Sequence, residues 1–258
     1  MIPFFRKIRN LPAGKAGKMA DDNKPLKPAW PAGRYMRYAI GEILLVVIGI
    51  LIALQINNWN ENQKLKVIEK QYLMSIKTGI NLSQKELKRV IDDSIEISKS
   101  ADTLFLLLAH DEFDLLEGRF LDSLLLNSGD YSIISLNDAS IQEIYNTGSL
   151  DIFRDERIRK ILSSWTERIH QIRKFEGESE YLSRRYNEYI INFIDVSRFE
   201  LRLNAVIPEK RQELLKDPLL RNYLGSIYST HKYMNQIYRA EKSILDSLRI
   251  LIDQNLSK

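Results

Sequence analysis

Apolar and polar positions change rhythm sharply along this chain. Residues 43–54 are unbroken apolar, and within residues 38–56 the only strongly polar side chains are Glu42 and Gln55. A helix rises ~1.5 Å per residue, so a run of this length nearly matches a ~30 Å hydrocarbon core. A core helix of a soluble protein is usually shorter and keeps a polar edge. A cleaved signal peptide would be followed by small residues at a cleavage site, whereas this run ends in Leu54-Gln55-Ile56-Asn57. The pattern therefore predicts one permanent transmembrane helix over residues 38–56.

Beyond the run the rhythm is amphipathic and helical. Leu87, Val90, Ser94, Ile97, Ala101, Leu104 and Leu108 recur at steps of three and four, and Leu65, Ile68, Tyr72, Ile76 and Ile80 carry the stripe back toward the span. No proline interrupts residues 57–109, so the span is free to continue as one long helix. A short helix is expected over 113–126, stopped by Asn127-Ser128-Gly129, and another from a cap at Asn137 or Asp138 to Gly148. The next bears Ile158, Leu162, Trp165, Ile169 and Ile172 on one face, with Asp155 to Arg159 and Glu156 to Lys160 as i,i+4 pairs. It ends or kinks at Gly177, or runs on to about residue 198. Pro208 opens a brief helix, and Asp217-Pro218 starts the last one as cap and first-turn proline.

That last helix has the cleanest pattern. Leu220, Leu224, Ile227, His231, Met234, Tyr238, Glu241, Leu245, Leu248 and Ile252 follow an unbroken 4,3,4,3 rhythm, the stripe of a bundle or coiled-coil seam. It is a candidate docking stripe for a partner helix. The only strand candidate is 131–136. The fold class predicted is all-α: a single N-terminal transmembrane helix followed by an elongated antiparallel helical bundle, with residues 1–37 as a tail, 38–56 as the span and 57–258 as the helical domain.

Charge fixes the expected orientation. Residues 1–37 hold nine Lys/Arg against Asp21 and Asp22, while residues 57–258 carry 29 basic and 31 acidic residues. The excess is local to the N-terminal flank, which points to a membrane surface and away from nucleic acid. By the positive-inside rule the tail is cytoplasmic and the helical domain periplasmic, in a cytoplasmic (inner) membrane. Arg34, Arg37, Tyr38 and Trp59 are the expected interface residues, with membrane lipid as the first partner. Glu42, one turn inside the span, either reaches the interface or contacts a partner within the membrane. Gly49 and Ala53 form a small-xxx-small pair that would let a second helix approach. Residues 11–34 repeat Pro-Ala-Gly-basic units and read as low-complexity linker.

Searching for chemistry yields little. The chain has no cysteine, which excludes disulfides, thiolate catalysis and Cys-ligated metal. His110, His170 and His231 lie about 60 residues apart, without metal-ligand spacing. There is no glycine-rich phosphate loop and no nucleophile elbow. Tyr223, Tyr228, Tyr233 and Tyr238 step by five, so they spiral about the helix and make no stacking platform. Arg168, Arg173 and Lys174 are flanked by acids, which argues against a nucleic-acid patch. The expectation is a protein with no cofactor and no enzymatic activity, acting on an unidentified protein partner or on a second copy of itself; the alternative is a ligand-sensing bundle that signals through a separate partner.

Residues 4–9 (FFRKIR), 38–43 (YAIGEI) and 49–61 (GILIALQINNWNE) together resemble a family of uncharacterised single-pass membrane proteins of Bacteroidetes, known by a domain of unknown function. A weaker match is residues 144–150 (IYNTGSL), where that family has a helix stopped by small residues. The chain departs from the family at 11–34, which looks like an insertion. The resemblance implies membrane placement and a helical outer domain, and brings no catalytic residues.

Overall fold

The computed structural model describes residues 32–257. The basic tail, most of the 11–34 stretch and the side chain of Arg34 lie outside the described residues. Two compact units are distinguished, with the boundary after Asn58.

The fold is all-α. Helix α1, Ala32–Ala109, runs 78 residues without a break. Residues 32–34, expected as linker, are helical. In the first unit the described part of α1 is exposed along its whole length. It forms one helix long and apolar enough to cross a membrane, and none of its most apolar stretch is buried.

The second unit contains the rest of α1, then α2 (Gly118–Ser128), α3 (Ala139–Thr147), α4 (Glu156–Ser163), α5 (Trp165–Ile190), α6 (Val196–Glu200), α7 (Arg211–Lys216) and α8 (Pro218–Leu256). Short 3-10 turns precede α2, α4 and α7. Helices α1 and α8 are antiparallel: Lys77 pairs with Asp253, Gln84 with Asp246, Asn235 with the Ile91 carbonyl, and Ser94 with His231. Helices α5 and α8 are antiparallel too, through Arg168 with Glu241, Ser179 with His231, and Tyr189 with Asp217. It follows that α1 and α5 run in the same direction.

Several local expectations shift, each for a physical reason. The 113–126 helix is split because Gly118 adopts φ +53°, and only Gly118–Ser128 is α-helical. The helix with Ile158 on its face breaks at Ser164 into α4 and α5. The Arg168 guanidinium covers that break, donating to the Ile161 carbonyl at 2.9 Å. Gly177 neither ends nor kinks α5, which stops at Ile190. Asp155 caps α4 by accepting from the Arg157 amide at 2.9 Å and pairs with the Arg157 side chain in place of Arg159. The stripe on α1 holds from Ile76 onward. Nearer its start Leu65 and Ile68 are exposed, and the buried positions are Glu69 and Leu73.

Residues 131–136, the strand candidate, form neither helix nor strand. They form a strap lying against α1, α5 and α8. Its register is set by Gly79: a Cβ there would sit 2.4 Å from the Asn137 carbonyl oxygen, so only glycine lets the strap approach α1 this closely. The Asn137 amide donates to Ser83 Oγ at 3.0 Å on the same helix.

Candidate functional site

Of the residues predicted from sequence, Arg37, Tyr38, Glu42, Gly49 and Ala53 all lie on the exposed first unit. Gly49 has no atom beyond its own helix within 4 Å of its would-be Cβ. Tyr38 and Trp59 are largely exposed. This row is the longest unbroken run of exposed apolar side chains among the described residues.

The stripe on α8 is placed differently. All ten of its side chains, Leu220, Leu224, Ile227, His231, Met234, Tyr238, Glu241, Leu245, Leu248 and Ile252, are buried. The helices that cover them belong to the same chain, so the stripe is core and not a free docking face for a partner helix. The sequence could show that this face is buried; it could not show by what.

Within that core, polar groups are paired one by one. Glu241 accepts from Arg168 Nε at 2.8 Å. Glu176, 2% exposed, accepts from the Ile134 amide at 2.7 Å, the Tyr238 hydroxyl at 2.9 Å and Arg173 Nη1 at 2.7 Å. Arg173 also donates to the Ile134 carbonyl at 2.9 Å. From α1, Arg89 donates to Ser132 Oγ at 3.0 Å and to the Ile133 carbonyl at 2.9 Å. These side chains supply the hydrogen bonds that a neighbouring strand would otherwise give the strap. Burial, then the nearby Glu176 charge, pushes the Tyr238 hydroxyl far above its usual range. Tyr238 therefore stays protonated and donates to the Glu176 carboxylate.

His231 marks a boundary. Its Nδ1 lies 3.5 Å from Ser94 Oγ and its Nε2 3.2 Å from Ser179 Oγ, with Ser94 also donating to the His231 carbonyl at 2.8 Å. One apolar cluster includes Ile91, Ile172 and Met234, the other Ile97, Tyr186 and Ile227. The Ser-His-Ser layer separates the two. Burial lowers the imidazole to about 4, so His231 is neutral at physiological pH. Both ring nitrogens face serine hydroxyls, all three side chains are buried, and no acidic side chain hydrogen-bonds to the ring among the described residues.

A cleft of about 470 Å³ opens between α1, the segment before α4 and the end of α8. Lys66 and Lys70 line it from α1, Arg154 and Asp155 from the pre-α4 segment, and Asn255 and Leu256 from α8. Glu69 sits at its base, 7% exposed, accepting from the Arg154 amide and Arg154 Nε, each at 2.8 Å. Asp155 accepts from Arg157 Nη2 at 2.7 Å and from Asn255 Nδ2 at 3.0 Å. The Arg157 and Asn255 hydrogen bonds hold its carboxyl well below the usual carboxylate range. Sequence reading missed this cleft because its residues come from three distant segments. The one local signal was Glu69 in phase with Leu73 and Ile76 on the buried face. Among the described residues, no group of three or more His, Asp or Glu side chains could hold a metal ion.

No curated protein and no solved structure matches the chain. A family model does match over residues 42–190, more than half of the chain. The match runs from Glu42 in the apolar segment through the stretch with Glu69, Arg154, Glu176 and the strap to the last residue of α5. Its fold content is therefore the apolar helix together with the α1 and α5 sides of the core, and the chain belongs to the family of unknown function DUF6090.

Proposed function

We propose that the protein is a single-pass membrane protein whose helical unit works by binding and carries out no reaction. The observation that supports this best is the full exposure of the apolar stretch of α1, while the unit that follows buries its own core. An exposed run of this length and composition is stable in lipid and costly in water. The nine basic residues before it favour a cytoplasmic N-terminus and a periplasmic helical unit in the cytoplasmic membrane. In this reading Arg34, Arg37 and Tyr38 lie at the inner interface and Trp59 at the outer one. Glu42 and the Gly49 and Ala53 face are the points where a second membrane helix would meet the span. The role is that of an envelope scaffold, bound to a protein partner or to a second copy of the chain.

The test is fractionation. The chain should stay with membranes through an alkaline carbonate wash, and the double variant Val47→Arg, Leu51→Arg should move it to the soluble fraction. Protease added to spheroplasts should remove the helical unit. Protection of that unit while an outer-face control is digested would overturn the orientation.

A second reading, a ligand-binding bundle that reports through a separate membrane partner, is favoured by one observation. The α8 stripe is not free for assembly, whereas a cleft of small-molecule size is open to solvent.

A further inference from the structure

We propose that the cleft bounded by Lys66, Lys70, Arg154 and Asn255 is a binding site for a phosphate ester, an inference that rests on the ligand-binding reading above and gives its ligand a chemical class.

The argument begins with the charges. Both carboxylates at the cleft are already answered. Arg154 reaches Glu69 through Nε and Nη2, each at 2.8 Å, and Arg157 reaches Asp155 through Nη2 at 2.7 Å. Lys66 and Lys70 are left over. They stand one helical turn apart on α1, both line the cleft, and neither has an acidic partner among the described residues. Two ammonium groups in i,i+4 register repel each other, and a dianion between them converts that repulsion into two attractions. Lysine supplies this as a compact, rotatable point charge suited to phosphate.

Arg154 adds direction. Its Nε and Nη2 are fixed on the buried Glu69 carboxylate, which holds the guanidinium plane in place. Its Nη1 makes no hydrogen bond among the described residues and is available to a bound oxygen. An arginine oriented by a buried acid loses little side-chain freedom when a ligand arrives. Asn255 is held likewise, with Nδ2 on Asp155 and on the Leu251 carbonyl at 2.8 Å, so its Oδ1 is left to accept from a ligand hydroxyl.

Size and lining set the rest. About 470 Å³ is far more than a bare phosphate fills, and Leu73 and Leu256 contribute apolar wall. The fit is to a phosphate carrying an organic substituent with a hydroxyl. Such an ester can come from solution or from a lipid headgroup, and the experiment below separates the two.

The full chain is placed in nanodiscs of zwitterionic lipid and titrated calorimetrically with glycerol 3-phosphate, with glycerol and glycerate as uncharged and carboxylate probes. Saturable binding of glycerol 3-phosphate is expected, with glycerol silent and glycerate at least tenfold weaker. Lys66→Gln with Lys70→Gln should weaken it tenfold or more, while Lys85→Gln with Lys99→Gln, on the same helix away from the cleft, should leave it unchanged. Repeating the titration in discs containing phosphatidylglycerol identifies the source. Loss of the soluble probe's binding there assigns the site to a lipid headgroup, and unchanged binding assigns it to a soluble ester. Absence of saturable binding in zwitterionic discs, or equal loss in the control pair, overturns the proposal. Tighter binding of glycerate overturns the phosphate assignment while the ligand-binding reading stands. Failure of the chain to enter discs at all would instead count against the membrane anchor.

Discussion

His231 shows how much one buried side chain can dictate. In an unfolded chain a histidine titrates near 6.5; in the folded core burial holds this one near 4. As pH falls, the unfolded state takes up its proton first. The stabilising contribution is therefore complete above pH ~6.5, declines between ~6.5 and 4, and is exhausted below that. At ~1.4 kcal/mol per pH unit the loss amounts to about 3 kcal/mol. Urea denaturation at pH 7 and pH 4 should show a smaller pH dependence in His231→Gln by roughly that difference. Glu176 offers a companion case. Truncation in Glu176→Ala leaves the Ile134 amide without its partner and the Tyr238 hydroxyl with only a long 3.4 Å contact to the Ser132 carbonyl. The expected destabilisation is about 2–4 kcal/mol, since each unsatisfied buried donor costs ~1–3 kcal/mol. Tyr238→Phe should lose about 1 kcal/mol, and adding it to Glu176→Ala should cost less than the two singles summed.

Among the elements, the glycines make the sharpest contrast. Gly79→Ala places a methyl group against the Asn137 carbonyl and forces α1 and the strap apart, at a cost of about 1–3 kcal/mol. Gly177→Ala meets nothing within 4 Å in the middle of α5 and should stabilise by about 0.5–1 kcal/mol through helix propensity. The two variants should therefore shift thermal unfolding in opposite directions. The same pair shows what sequence makes legible. Periodicity marked α8 from its aspartate cap to Ile252, and marked α1 from Ile76 onward, because burial of one face repeats at 3.6 residues. It could not separate α4 from α5. The break at Ser164 is held by a long-range pair, Arg168 with Glu241, and no local pattern encodes that. Gly177 left open whether the helix stopped there or ran on, because glycine is a weak helix former; packing on both sides of it carries α5 through to Ile190.

At the scale of the whole molecule, the long apolar helix was legible, since an apolar run needs only its own length to be recognised. The candidate cleft was not, because it joins α1, the pre-α4 segment and the end of α8, and each contributes residues that look like ordinary solvated charge. The Glu176 cluster was hidden for a similar reason: Tyr131-Ser-Ile-Ile-Ser-Leu136 has the composition of a β-strand, and its partners lie some 40 residues away in sequence or more. Such a hexapeptide, with its backbone groups open, is a template on which a second chain can stack into cross-β aggregates. Here the Ile133 carbonyl and both Ile134 backbone groups are taken by Arg89, Arg173 and Glu176. Those three side chains therefore act as a guard against self-templating. Their removal would expose the chain to fibril growth under conditions in which its helices are still largely intact.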